Sequence, residues 1–107
     1  MTIYRSYQFD RPQVAKYVSI AYSLLGSLDI WNSLATQHFA ERTSERNINL
    51  AKISQNRIKK GRVFEIKVED DSILTVGVEV AYNKKSKLCL ILGFKTETPA
   101  IVTAWLK

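Results

Sequence analysis

A histidine and two arginines recur at helical spacing near the middle of the chain. His38, the single histidine, lies four positions before Arg42 and eight before Arg46, so a helix would place the three side chains on one face. Imidazole exchanges a proton near neutral pH, and guanidinium groups bind phosphate and stabilise the charge that develops on it during transfer. Cleavage of RNA at the ribose 2′-hydroxyl requires only a base, an acid and such cationic stabilisation, without a metal ion.

The same spacing is also typical of an ordinary solvated helix. In that case Arg42 and Arg46 would pair with neighbouring glutamates on the surface, which stabilises a helix by about a few tenths of a kcal/mol per pair. Spacing alone leaves both interpretations open. A dependence of activity on His38 would separate them.

Two further groups of basic residues could contact phosphates. One lies where a helix should end before the sheet, and the other occupies a hairpin loop. Such residues bind the nucleic-acid backbone in a salt-sensitive, sequence-independent way, although a soluble protein also carries surface charges without a ligand. The first group contains Arg57, Lys59, Lys60 and Arg62, and the second contains Lys84, Lys85 and Lys87.

Several other kinds of site are not indicated by the sequence. One histidine and one cysteine cannot supply the clustered nitrogen and sulfur ligands of zinc. The cysteine, Cys89, alternates within an apolar run as a small hydrophobic residue does. Asp70 and Asp71 are better explained by a turn than by a cation site. There is no glycine-rich phosphate loop, dinucleotide fingerprint or serine nucleophile elbow, so we expect no metal and no cofactor.

Composition and charge are those of one small basic domain. The chain has 107 residues, of which 46% are hydrophobic, enough for one core, and we treat residues 1–107 as a single domain. The formal net charge of +6 favours polyanionic partners, namely RNA, DNA, an anionic membrane surface or an acidic protein. No segment approaches the roughly 20 apolar residues of a membrane span, and the N-terminus lacks a signal-peptide pattern. We therefore expect a cytoplasmic protein.

Helices are predicted for the first sixty or so residues. The sequence Asp10-Arg11-Pro12 is typical of a helix start, with Asp10 able to cap it. An apolar stripe at three- and four-residue spacing follows as far as Gly26. A short polar helix should then cover residues 36–47, and a further helix should end at Gly61.

From Arg62 onward the hydrophobic period changes from 3.6 to 2 residues, which indicates a sheet. In the first strand Phe64, Ile66 and Val68 should share the apolar face. Three more strands run from about Leu74 to Tyr82, from Leu88 to Phe94 and from Ala100 to Leu106. Short connections favour antiparallel neighbours. The predicted fold class is α+β, with N-terminal helices packed on a four-stranded antiparallel meander sheet.

Several short motifs together resemble a family of small bacterial and phage-borne proteins. The motifs are Gln37-His38-Phe39-Ala40-Glu41-Arg42, Glu45-Arg46-Asn47-Ile48, Lys60-Gly61 and Ile101-Val102-Thr103-Ala104-Trp105. They match a His-x-x-x-Arg helix, a Glu-Arg-x-Ile segment, a helix ending in glycine and a terminal Val-Thr-aromatic strand. This family looks like part of the barnase, EndoU, colicin and RelE superfamily of metal-independent ribonucleases, which includes BrnT-type toxins. The match covers about residues 36–106 and leaves an N-terminal helical part, residues 1–35, outside.

The resemblance implies an endoribonuclease toxin that cuts RNA through a 2′,3′-cyclic phosphate. His38 would act as acid or base, and Arg42 would hold the scissile phosphate. Arg46 matches the second arginine of the family, and Thr103 would line the site from the last strand. Lys67 matches no motif position and is a candidate substrate contact because it lies on the polar face of the first strand.

Such toxins usually sit beside an acidic antitoxin or immunity protein that covers the basic site, and a net charge of +6 suits that partner. A second interpretation belongs to a different class of protein. It is a non-catalytic module that uses the same basic surface to bind nucleic acid or an acidic host protein. A phage could encode such a module. The sequence contains no signal for the oligomeric state.

Overall fold

The computed structural model describes residues 1–27, 60–94 and 100–107. Within these ranges one long helix packs on an antiparallel sheet. The elements are strand β1 (Thr2–Arg5), a 3-10 turn (Ser6–Gln8), helix α1 (Pro12–Ser27), and strands β2 (Arg62–Glu69), β3 (Ser72–Ala81), β4 (Lys87–Gly93) and β5 (Ala100–Leu106). The strands lie in the sheet in chain order, and every neighbouring pair is antiparallel. The helices predicted between residues 28 and 59 lie outside the described ranges.

Helix α1 begins at Pro12, as predicted. The carbonyl of Arg11 accepts hydrogen bonds from the N–H groups of Val14 and Ala15, each at 2.9 Å, so Arg11 rather than Asp10 occupies the capping position. The apolar stripe of the helix faces the sheet, where Tyr17 is buried together with the residues one and two turns further on. No helix in the described residues is long and apolar enough to cross a membrane.

The core lies between α1 and one face of the sheet. Alternate residues of each strand point towards the helix, as period-2 patterning predicts. Burial of side chains of this size contributes roughly 1.5–3 kcal/mol each relative to exposure. The fully buried members from the sheet include Val63, Ile66, Val76, Val78, Leu88, Leu90 and Leu92. Tyr82 is buried in the same core.

A two-residue turn joins β2 to β3. Asp70 and Asp71 have positive φ angles of 51° and 61°, the backbone of a tight hairpin, which aspartate tolerates better than most residues. The hydroxyl of Tyr17 donates a hydrogen bond to Asp71 Oδ1 at 3.1 Å and so ties α1 to this turn. The interpretation as a turn is therefore confirmed, and no group of three or more His, Cys, Asp or Glu among the described residues could hold a metal ion.

The α+β class and the antiparallel meander are confirmed, but the predicted number of strands was too low. Strand β1 pairs with β2, with Tyr4 opposite Ile66, and makes the sheet five-stranded. Residues 1–35 are consequently not purely helical. The four residues of β1 are too few to show a clear period, and their partner strand β2 is some sixty residues further along the chain. No local sequence pattern therefore predicts the pairing.

The placement of Phe64 also differs from the prediction. The register of β2 against β3 shifts between Val63 and Glu65, which leaves Phe64 as an extra residue in a β-bulge. Val63 is buried in the core instead, and the ring of Phe64 lies on the opposite face of the sheet, over Gly77. Strict alternation along β2 cannot anticipate this reversal.

Candidate functional site

The candidate site lies on the face of the sheet opposite α1, which we call the outer face. Its residues alternate with the core residues along each strand, so the strand register places them side by side. The outer face contains Arg62, Phe64, Lys67, Thr75, Gly77, Glu79, Lys87, Cys89, Ile91, Thr103, Trp105 and Lys107.

Glu79 lies at the centre of a group of cations on this face. The Nζ atom of Lys87 lies 3.1 Å from one carboxylate oxygen of Glu79, and that of Lys107 lies 3.3 Å from the other. Arg62 is directly opposite Glu79 in the pairing of β2 with β3. The hydrogen bond from Lys87 is the largest cause that lowers the pKa of Glu79. Desolvation opposes it, and the hydrogen bond from Lys107 and the charges of both lysines add to the lowering.

The two lysines are far more exposed than the carboxylate they share. The Glu79 side chain is 12% exposed, whereas those of Lys87 and Lys107 are 64% and 68% exposed. Each lysine side chain therefore stays largely open to solvent although its ammonium group pairs with the carboxylate. With one acidic and three basic side chains, the group of Arg62, Glu79, Lys87 and Lys107 carries net positive charge and can bind an anion.

The hairpin between β3 and β4 adds two more cations at the same end of the sheet. The side-chain oxygen of Asn83 accepts hydrogen bonds from the backbone N–H groups of Lys85 at 2.8 Å and Ser86 at 2.7 Å, so the loop closes on itself as an Asx turn. The lysine side chains are not needed for that closure. Lys84 and Lys85 are both exposed.

Antiparallel pairing explains why these residues meet. Strands β2 and β4 begin, and strands β3 and β5 end, at the same end of the sheet. The basic residues near those four termini are therefore neighbours. We call this group the basic end. It consists of Lys60, Arg62, Lys84, Lys85, Lys87 and Lys107, all of them exposed.

The opposite end of the sheet is acidic. Glu69, Asp70 and Asp71 surround the β2–β3 turn and are exposed. A surface depression there is lined by Glu69, Asp70, Ser72, Ile73, Leu74 and Phe94. Because carboxylates repel phosphate, a polyanion would be drawn to the basic end and excluded from this one.

Thr103 and Lys67, two of the predicted site residues, both lie half-buried on the outer face. They are not in contact, because β3 and β4 separate their strands by roughly 14 Å at the usual strand spacing. Thr103 is paired with Ile91, and two steps along β5 on the same face lies Trp105. The structure thus brings Lys60, Arg62, Lys84 and Lys85 together at the basic end and leaves Lys67 apart from them.

An aromatic pair occupies the middle of the outer face. The rings of Phe64 and Trp105 meet edge to face, with centroids 6.1 Å apart. Trp105 is paired with Cys89 across β4 and β5, and Cys89 is 3% exposed. Burial, and then the nearby charge of Glu79, raise the pKa of this thiol. Cys89 packs as a small hydrophobic residue, as predicted.

The remaining predicted site residues lie outside the described ranges. They are His38, Arg42, Arg46 and Arg57. Their arrangement on one helix face stays a prediction.

Sequence reasoning missed Glu79, Lys107 and the aromatic pair as parts of one surface. Alternation along β3 could have placed Glu79 opposite the core residues Val78 and Val80. Its partners could not have been found that way, because they depend on the register of β3 with β2 and β4 and of β4 with β5, which alternation along one strand does not specify. Comparisons with family models, curated proteins and solved structures give no match for this chain.

Proposed function

We propose that this protein is a metal-independent endoribonuclease that binds RNA through the basic end of its sheet. The observation that carries the proposal is the basic end itself, where exposed cations near four strand termini share one end of the sheet and two of them, Lys87 and Lys107, pair with the carboxylate of Glu79. An array of this kind suits the closely spaced phosphates of a nucleic acid. The acidic opposite end repels phosphates, so RNA should dock at the basic end.

The catalytic part of the proposal draws on the sequence motifs. His38 takes the proton from a ribose 2′-hydroxyl or delivers one to the leaving 5′-oxygen. The 2′-oxygen attacks the adjacent phosphorus, the bond to the 5′-oxygen breaks, and a 2′,3′-cyclic phosphate remains. Arg42 and Arg46 stabilise the negative charge that develops on the phosphate during this step. Thr103 offers a hydroxyl from the outer face as a hydrogen-bond donor to the same phosphate.

The proposal extends to the setting of the protein. We infer that it acts in the cytoplasm, where its RNA substrates are. An acidic antitoxin or immunity protein would neutralise it by covering the basic end, since complementary charge gives fast and specific association. Such a partner would compete directly with RNA.

A second candidate function is non-catalytic binding of nucleic acid or of an acidic host protein. The observation in its favour is that the exposed cations of the basic end can hold a phosphate backbone without any catalytic group. The two candidates differ in whether RNA is cut. They agree in predicting salt-sensitive binding at the basic end.

Incubation of the purified protein with total cellular RNA in EDTA tests the proposal. Wild-type protein should degrade the RNA, and His38→Ala and Arg42→Ala variants that circular dichroism shows to be folded should not. Arg11→Gln is the matched control, because it removes one exposed cation at the start of α1, away from the outer face. Intact RNA with the wild-type protein, or cleavage that survives loss of His38, would contradict the proposed mechanism.

A further inference from the structure

The aromatic pair on the outer face lies between the basic end and Thr103. Along β5 the outer face is formed by Thr103, Trp105 and Lys107, each two residues from the next, or roughly 7 Å apart. Lys87 lies opposite Lys107, with backbone hydrogen bonds in both directions at 3.3 and 2.8 Å. A half-buried indole thus shares the outer face with two exposed lysines, Lys107 two residues further along β5 and Lys87 opposite Lys107.

We infer that Trp105 is a base-stacking site and that the substrate of the proposed ribonuclease is single-stranded RNA. This inference rests on the proposed function and narrows its substrate class. A base stacked on Trp105 would leave one flanking phosphate near Lys87 and Lys107. The phosphodiester on its other side would lie towards Thr103.

The packing of Trp105 suits this role. The rings of Phe64 and Trp105 meet at a centroid distance of 6.1 Å and an interplanar angle of 78°, so the two rings do not stack on each other. We take the exposed part of the indole as the surface on which a base would stack. Both side chains remain partly exposed, unlike the apolar side chains that fill the core.

A mixed surface of aromatic and basic residues is what single-stranded nucleic acids require. Every base has a flat face that stacks on an aromatic ring, and the backbone is held by neighbouring cations. In a duplex the bases already stack on each other, and double-stranded RNA is recognised mainly through its phosphates and ribose hydroxyls. Cations alone would bind both forms, so the aromatic residue is what gives the preference for single strands.

Binding of a 2′-O-methyl RNA oligonucleotide tests this inference, because that probe has no free 2′-hydroxyl and cannot be cut. Fluorescence anisotropy with the single strand and with its duplex gives both affinities for the wild-type protein, Trp105→Ala, Trp105→Phe and a matched control. The control is Tyr7→Ala, which removes an aromatic ring that is 74% exposed in the turn before α1. Circular dichroism establishes that each variant is folded.

The wild-type protein should prefer the single strand. Trp105→Ala should weaken that binding by about tenfold or more, within the range for base–aromatic stacking, and Trp105→Phe should weaken it less. The dependence on salt should be unchanged in Trp105→Ala, since no charge is lost. Tyr7→Ala should bind as the wild-type protein does.

Equal affinity of wild-type protein and Trp105→Ala, equal affinity for single strand and duplex, or no binding at all would overturn the stacking site. The RNA digestion in EDTA is scored separately. If RNA is cut but Trp105→Ala binds as the wild-type protein does, the stacking site is rejected and the nuclease stands. If binding depends on Trp105 but RNA is not cut, the nuclease is rejected and the stacking site stands.

Discussion

Phe64 lies so close over Gly77 that a Cβ atom on Gly77 would come within 2.8 Å of its Cζ atom. The outer face can hold the aromatic pair only because this position of β3 has no side chain. The Cδ1 atom of Ile91 would lie 3.2 Å from the same Cβ, so the space next to the Gly77 Cα atom is filled on a second side as well.

Gly77→Ala should therefore push the ring of Phe64 away from the sheet. Overpacking typically costs about 1–3 kcal/mol, and removal of a glycine from a strand returns only about 0.5–1 kcal/mol. We expect a net loss of about 1 kcal/mol in the free energy of unfolding, measured with urea. Gly26→Ala is the matched control, because a Cβ there meets nothing within 4 Å, and it should be neutral or stabilising. A stabilising Gly77→Ala would contradict the described packing.

Tyr17→Phe should destabilise the protein by about 1–2 kcal/mol, because it removes the hydrogen bond from the Tyr17 hydroxyl to Asp71. The ring itself would remain stacked on Tyr4. Tyr7→Phe, at a position that is 74% exposed, should have no measurable effect on urea unfolding. Equal effects of the two substitutions would mean that the bond to Asp71 contributes nothing.

Glu79→Gln should change how stability depends on pH. The pKa of Glu79 is lowered in the folded protein by Lys87 and Lys107, so its contribution is present above the unfolded pKa and is lost as the pH falls through the lower folded value. Near pH 7 the variant should be less stable by no more than about 1 kcal/mol, since both lysines are exposed. Urea unfolding below about pH 4 should show the two proteins converging. A constant difference across the range would exclude this ion-pair effect.

Lys84→Ala and Lys85→Ala should each weaken RNA binding with little regard to sequence. If each lysine neutralises one phosphate, the slope of log affinity against log salt should fall by about 1 for each substitution. Lys16→Ala, on α1, is the control for loss of a positive charge elsewhere and should leave the slope unchanged. Unchanged slopes in the hairpin variants would place the RNA away from the basic end.

Much of the fold could be predicted from the sequence, because β2 to β5 are consecutive and each carries a period-2 pattern. The predictions fail where structure depends on contacts that leave no local pattern. Strand β1 has four residues and a distant partner. The bulge at Phe64 reverses one residue within an otherwise regular strand.

For the candidate site too, local features could be predicted and contacts between distant residues could not. The hairpin lysines Lys84 and Lys85 could be placed together because they are adjacent in one loop. Their proximity to Arg62 and Lys107 depends on the register of the whole sheet, which hydrophobic alternation does not specify. Lys67 was predicted from its place on the polar face of the first strand. It does lie on the outer face, but four pairs along β2 from Arg62 and so apart from the basic end.

Analysis of the RNA ends produced in EDTA by the wild-type protein and by His38→Ala shows whether the ribose 2′-hydroxyl is the nucleophile. Attack by the 2′-hydroxyl predicts a 2′,3′-cyclic phosphate on one fragment and a 5′-hydroxyl on the other, with neither formed by His38→Ala. Fragments ending in a 3′-hydroxyl and a 5′-phosphate, or RNA left intact by the wild-type protein, would contradict it.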